Sequence, residues 1–304
     1  MVLICGIPED PPIELLADAL EDSGVPFLIY SPRQLRSISF YYEIADGKID
    51  GEISNGIKSS LLSEITGIYN RMVDFSVIPE FRHLLPVHKE YKELRHKADA
   101  IQSWVNLSNC RVLNHAEPMK SNCSKLYQMR LIKESGFLIP PSLVTNNIES
   151  LKHYYKKQEK LIYKSASGVR SIVAGFEWSE RTSLIKNCPT LFQKQLSGIN
   201  YRVHVVGEKV FATQIRSSAV DYRYAAKENK ETRLDAVSLP WEVEQKCIAL
   251  SKFLNLPLAG IDLMKSNNDW YCFEVNPSPG YSYYENNTGQ PISKCIAKYL
   301  AQKC

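Results

Sequence analysis

The sequence predicts an α+β protein: a small N-terminal α/β domain over residues 1–110, then two α+β subdomains over 111–190 and 191–304. Two observations predict this. The first third alternates strand-like and helix-like segments, the rhythm of a mostly parallel sheet with crossover helices. The last third is strand-rich and turns back on itself through short polar segments, the pattern of antiparallel hairpins.

Taken in order, residues 2–7 (VLICGI) are continuously apolar, as in a buried strand. Residues 13–23 follow as a helix stopped by Gly24, and 25–30 and 67–72 add two short apolar runs. A charged helical stretch over 91–104 leads into a new unit. Residues 124–135 predict a helix, with Gly136 where a C-terminal glycine belongs. Pro140-Pro141 then forces extended chain. Residues 151–157 predict another helix. Strands at 161–164 and 172–176 are joined by the small-residue loop 165–171. Residues 190–196 predict a strand, and 201–206 with 210–215 a hairpin about Gly207-Glu208. An amphipathic helix over 241–254 precedes a second hairpin, 258–264 with 270–275. The last helix, 291–301, places Ile292, Cys295, Ile296, Tyr299 and Leu300 on one face.

The composition narrows the partners. Of 304 residues, 44% are hydrophobic and 23% charged, ordinary for a soluble globular protein. The net charge is +4, and the charged run at 89–97 mixes signs, which fits a solvated helix rather than a nucleic-acid surface. The eight cysteines form no C-x-x-C pair and no zinc spacing, so reduced thiols and a cytoplasmic location are expected. No apolar run approaches the roughly 18 residues of a membrane span, and the first residues lack the leader of a signal peptide. The amphipathic helices can pack within the chain or between subunits, which leaves a homo-oligomer open.

The strongest chemical signal is Gly260-Ile261-Asp262-Leu263-Met264, a polar turn, and Phe273-Glu274-Val275-Asn276-Pro277. A hairpin folded about Asn268 sets Asp262 across from Glu274, where cross-strand neighbours lie about 5 Å apart. Glu274 and Asn276, two apart, share one face of the strand. Two carboxylates and an amide converging this way suit a hard cation such as Mg²⁺, which fills its other positions with water and phosphate oxygens. The alternative is a surface hairpin with coincidental acids.

These residues resemble the ATP-grasp superfamily, whose metal strands end in an acid and then E-x-N-P. The chain looks similar to the ribosomal-protein and cofactor glutamate ligases, and more so to the graspetide synthetases that build macrocycles in ribosomally made peptides. Residues 198–207 (GINYRVHVVG), followed by Val210-Phe211-Ala212, match the family's central hairpin. Gly280, Glu285, Gly289, Pro291 and Ile292 match the C-terminal trailer of the macrocycle subset. Ile68-Tyr69-Asn70-Arg71 and Asn114-His115 are further, weaker matches.

The resemblance implies an ATP-grasp fold, two α+β subdomains gripping ATP, behind an N-terminal α/β domain. It implies that Asp262, Glu274 and Asn276 bind Mg²⁺, with two ions bridged by Glu274 and Mn²⁺ able to substitute. Lys125 and Lys164 would grip the phosphates as compact cations, with the loop through Ser167 and Gly168 above them. Gln193, Lys194, Gln195 and Leu196 would border adenine, Asn200 the ribose, and Leu263 the adenine floor. Lys194 and Gln195 stand where relatives carry acids, and Asn200 where an aspartate is common. Arg202 and Arg216 would serve catalysis near the transferred phosphate, since a guanidinium can take two oxygens at once. Each residue also has a plain reading: surface lysines and arginines, an ordinary turn at 165–168, a core leucine at 263.

The implied reaction activates a substrate carboxylate with ATP as an acyl phosphate, then joins it to an amine or hydroxyl acceptor. A ribosomal precursor peptide is one such substrate; a small metabolite receiving an amino acid is another. Tyr281-Ser282-Tyr283-Tyr284 could line an acceptor pocket or simply pack. A non-catalytic ATP-binding regulator and a kinase that stops at the phosphorylated carboxylate are the competing readings.

Overall fold

The computed structural model describes residues 1–158, 160–166, 173–217 and 231–302. The chain divides into two compact units. The first comprises Met1–Ala116, Gly280–Asn286 and Pro291–Cys304; the second comprises Glu117–Pro279 and Asn287–Gln290.

The first unit holds a parallel sheet in the order β2 (Phe27–Tyr30), β1 (Val2–Cys5), β6 (Gly67–Asn70), β7 (Arg111–Leu113). Leu3, Cys5, Leu28, Tyr30 and Ile68 form one core with Leu94, Ile101, Trp104 and Val105 of α2 (Lys89–Leu107). The alternate residues Val2, Ile4 and Tyr69 are also fully buried, so both faces are covered, which explains the unbroken apolar runs. Helix α1 (Pro11–Asp22) packs against the last helix, α8 (Ile292–Ala301). The 191–304 segment expected as one subdomain therefore gives its end to the first unit. The apolar stripe Ile292, Ile296, Ala297 and Leu300 drives this docking, and Gly67 admits it. A Cβ at Gly67 would come within 2.4 Å of the Leu300 carbonyl oxygen. Along the chain between β2 and β6 come the strands of a separate antiparallel sheet, β3 (Ser39–Ala45), β4 (Lys48–Ser54) and β5 (Ser59–Leu61), which the sequence did not predict.

Glu285, in the trailer segment, accepts from both the backbone N–H and the hydroxyl of Ser293 (2.8 and 2.6 Å), capping the start of α8. Tyr281 is fully buried and donates to the Pro12 carbonyl, and Tyr284 is buried too. Only Tyr283 of that trio is exposed.

The second unit starts within a single turn, α3 (Ala116–Met119), and continues into α4 (Lys125–Glu134). Its first sheet has the order β10 (Ala174–Phe176), β9 (Leu161–Ser165), β11 (Thr190–Lys194), β8 (Ser142–Thr145). Leu151 of α5 (Ile148–Lys157) packs on Leu161 and Phe192 of this sheet. Its second sheet is antiparallel and five-stranded: β14 (Thr232–Val237), β13 (Lys209–Ser217), β12 (Ile199–Val206), β15 (Leu258–Ser266), β16 (Asp269–Asn276). One face, carrying Val203, Val205, Ala212, Ile261 and Val275, is sealed by Val243, Cys247 and Leu250 of α6 (Trp241–Phe253). A short helix, α7 (Ser282–Thr288), follows β16. No helix among the described residues is long and apolar enough to cross a membrane.

Candidate active site

The other face of the five-stranded sheet carries the polar residues. Strands β15 and β16 meet at a two-residue turn, Asn267-Asn268, with Ser266 opposite Asp269. Asn267 has φ 54°, a left-handed backbone that asparagine tolerates. A regular hairpin from this turn would set Asp262 opposite Phe273. Instead the register shifts between Asp262 and Leu263, and Glu274 pairs with Asp262. Phe273 is the extra residue of a bulge. The pairing expected from a hairpin about Asn268 is present, but the bulge produces it rather than the turn.

Directly opposed residues share a face, so Asp262, Glu274 and Arg202, which pairs with Asp262 across β12, lie together. Arg202 Nη1 donates to Asp262 Oδ1 at 2.6 Å and reaches the Gly260 carbonyl at 3.5 Å. Asn276 Nδ2 lies 3.5 Å from Asp262 Oδ2, which leaves its own Oδ1 as an acceptor. Two carboxylates against one guanidinium leave a net negative charge. Among the described residues no three His, Cys, Asp or Glu side chains form a group that could hold a metal ion. The donor set here is two acids and an amide, all oxygen, which fits a hard cation better than zinc.

Asn200 pairs with Met264 on this same face. Leu263 does not join them: it is buried in the α6 core, one residue out of phase, and Met264 is the apolar neighbour of Asp262 on the polar face. Arg216 is also separated from Arg202. Arg202 pairs with Thr213, and an odd spacing from Thr213 turns Arg216 to the opposite face. There it is exposed, 4.0 Å from Asp235.

His204, two residues beyond Arg202, is fully buried. Burial, and then the Arg202 charge, hold its pKa well below the usual histidine value. On the next strand, Thr213 donates to Gln290 Oε1 (2.9 Å), whose Nε2 donates to the Ala212 carbonyl (3.2 Å). The sequence reading missed His204, Thr213, Gln290 and the buried Gln128 as site neighbours. For His204 and Thr213 the available signal was a polar residue set at strand spacing among apolar ones; Gln128 and Gln290 lie outside the strands and gave none.

On the four-stranded sheet, Ile162 pairs with Gln193 and Lys164 with Leu191, which puts Lys164 and Gln193 on one face. Lys194 pairs with Leu161 on the α5 side, away from them. The N–H groups of Lys194 and Gln195 donate to the Pro141 and Lys160 carbonyls, so the backbone contacts expected of this linker fall to its remaining groups and to Leu196. Gln193 is 2% exposed; its Nε2 donates to Ser142 Oγ, and its Oε1 has no hydrogen-bond partner among the described residues. A buried orphan acceptor is costly unless a ligand donor meets it. Lys125 stands at the first residue of α4, after Ser124 caps it, and its Nζ donates to the Ser165 carbonyl at 3.0 Å beside Lys164. Ser167 and Gly168 lie outside the described residues.

Two antiparallel sheets in one unit, one bearing Lys164 with Lys125 of α4 reaching its edge, the other bearing the oxygen ligands, make an ATP-grasp fold. A family model described as the RimK-like ATP-grasp domain matches residues 148–300, half of the chain, and the chain belongs to that family. It is 23% identical over 204 residues to a probable alpha-L-glutamate ligase of Methanococcoides burtonii, covering 62% of this chain. The chain spans 66%, 45% and 44% of the length of the first curated relatives it matches. Among solved structures it is similar to a Chryseobacterium gregarium RiPP-associated ATP-grasp ligase in complex with ADP and a leader and core peptide. That likeness has TM-score 0.82 and 20% identity, and covers 98% of this chain and 96% of the other. It is also similar to macrocyclase MdnC from Microcystis aeruginosa MRC, bound with precursor peptide MdnA, with TM-score 0.78, 19% identity and 99% of both chains covered.

Proposed function

We propose that this chain is an ATP- and Mg²⁺-dependent, ADP-forming ligase, working in the cytoplasm, that joins a carboxylate to an amine or hydroxyl on a peptide. The observation that carries the reading is the bulged hairpin, which sets Asp262 and Glu274 on one face beside Asn276 and the buried Arg202. The peptide substrate is supported by the likeness over nearly the whole chain to ligases whose structures hold precursor peptides. The curated relatives named glutamate ligases favour a second reading, addition of an amino acid to another acceptor.

Asp262, Glu274 and Asn276 would hold the cation, with one or two ions. Mg²⁺ there would neutralise the phosphate oxygens and stabilise their charge in transfer. Lys125 and Lys164 would hold the phosphates by point charge. Arg202 fixes the Asp262 carboxylate with a short charge-assisted bond, so that Asp262 meets its ligand with little reorganisation. The substrate carboxylate oxygen attacks the γ-phosphorus, the bond to the β–γ bridging oxygen breaks, and ADP leaves. The acceptor then attacks the acyl carbon, phosphate leaves with the carbonyl–oxygen bond pair, and the acceptor loses its proton.

Hydroxylamine traps an acyl phosphate as a hydroxamate. With Mg²⁺, ATP and a candidate precursor peptide, the reading predicts equal ADP and hydroxamate, both lost in Glu274→Gln. AMP with pyrophosphate, or ADP without hydroxamate, contradicts it; so does nucleotide binding with no turnover over a broad panel of peptides and amino acids.

A further inference from the structure

We propose that Gln128 is a positioning residue for the metal-binding strand: its buried carboxamide clamps the Val275 backbone and fixes Glu274 and Asn276 relative to Lys125. The proposal rests on the metal–nucleotide reading of that face.

Gln128 is 2% exposed and lies on α4. Its Nε2 donates to the Val275 carbonyl at 2.7 Å, and its Oε1 accepts from the Val275 N–H at 3.0 Å. One side chain thus makes both bonds that a neighbouring strand would make. The N–H and C=O of a strand residue point the same way. Those of Val275 therefore point away from β15, off the outer edge of β16. Farther along that edge the Cys272 N–H donates to the Leu138 carbonyl at 2.8 Å, so backbone covers one position and Gln128 the other. Buried and without Gln128, the Val275 peptide groups would lose both partners.

The clamp sits between two candidate ligands. The Val275 side chain is fully buried in the α6 core, and Glu274 and Asn276 on either side point to the polar face. A tilt of the Val275 backbone would swing both side chains. The helix that holds the clamp also begins with Lys125, one turn earlier and on the same side of α4. Gln128 therefore ties the spacing of a phosphate-directed lysine to that of the metal ligands. Ligand-supporting groups of this kind hold oxygen donors in the orientation the ion needs.

The test uses the full chain with Mn²⁺ as probe, read by electron paramagnetic resonance in the presence of ADP, alongside thermal unfolding. Gln128→Met is nearly isosteric and removes both bonds. We expect Mn²⁺ affinity to fall about 10–100-fold, the range for lost support of metal ligands. Gln128→Glu keeps an acceptor for the Val275 N–H and should fall between that variant and the parent. Ile132→Val, in the core under the same helix, should lower the melting temperature and leave Mn²⁺ affinity within about twofold. If Gln128→Met does not fold, Gln128→Glu against Ile132→Val makes the same comparison. Variants at Gln128 that melt earlier yet bind Mn²⁺ as the parent does would overturn the positioning role and leave the site reading intact. A parent chain that binds no Mn²⁺ with ADP would overturn the site reading, and this inference with it.

Discussion

Gly260 is the place where a single methyl group should disturb both packing and chemistry. It lies on β15 two residues before Asp262, opposite Asn276. A Cβ there would lie 2.6 Å from Pro279 Cβ, closer than any relaxed contact, and 3.3 Å from Arg202 Cζ and 3.4 Å from its Nε. The proline cannot yield without moving the chain after Asn276. The guanidinium must give by a few tenths of an ångström, which strains its 2.6 Å bond to Asp262. Overpacking of this kind costs about 1–3 kcal/mol. Gly260 needs no left-handed backbone, so alanine recovers about 0.4–1 kcal/mol by restricting the unfolded chain. The net expectation for Gly260→Ala is a loss of roughly 1–2 kcal/mol in denaturant unfolding, with weakened Mn²⁺ binding as the bond between Arg202 and Asp262 is strained. A variant as stable as the parent or more so, with Mn²⁺ affinity unchanged, would refute the reasoning, because it would show that the arginine and proline have room to spare.

Three further outcomes follow from named groups. His204 stays neutral in the folded chain while the unfolded chain takes up a proton near pH 6.5. The unfolded state then binds the extra proton, so stability drops as the pH is lowered, by about 1.6 kcal/mol from pH 6.5 to 5, and His204→Gln should remove that part of the slope in urea titrations at the two pH values. Glu285→Ala leaves the Ser293 N–H without its cap, which costs about 0.5–2 kcal/mol and should lower the melting temperature by a few degrees. Thiol labelling of the native protein should modify the exposed Cys123 and Cys188 early and spare Cys247, whose burial pushes its pKa up to about 12, and the buried Cys5 and Cys272; early labelling of Cys247 would contradict the packing of α6.

The strands and helices that carry the site were legible because their periodicity is strong: the two hairpins and α6 lie within two or three residues of their expected bounds. The Asp262–Glu274 pairing was legible for an incomplete reason, since sequence spacing does not reveal a bulge at Phe273. Leu263 and Arg216 were missed for other reasons: Leu263 adjoins Asp262, so strand alternation alone turns it to the other face, while the face of Arg216 depends on the pairing of β13 with β12, which the sequence does not show. The return of α8 to the first sheet was not legible, because an amphipathic stripe says that a helix is buried and not against what. Gln128 was hidden for a similar reason: its partner is a backbone unit 147 residues away.

If the Asp262–Glu274 face holds the metal of a metal–nucleotide complex, nucleotide binding must depend on Mg²⁺ through those two carboxylates. The most direct test is calorimetric titration of ADP with and without Mg²⁺, for the parent chain and for Asp262→Asn with Glu274→Gln. Mg²⁺ should strengthen ADP binding to the parent, and the double variant should lose this dependence while keeping its metal-free affinity. ADP affinity that ignores Mg²⁺ in the parent, or a Mg²⁺ dependence that survives loss of both carboxylates, would contradict it.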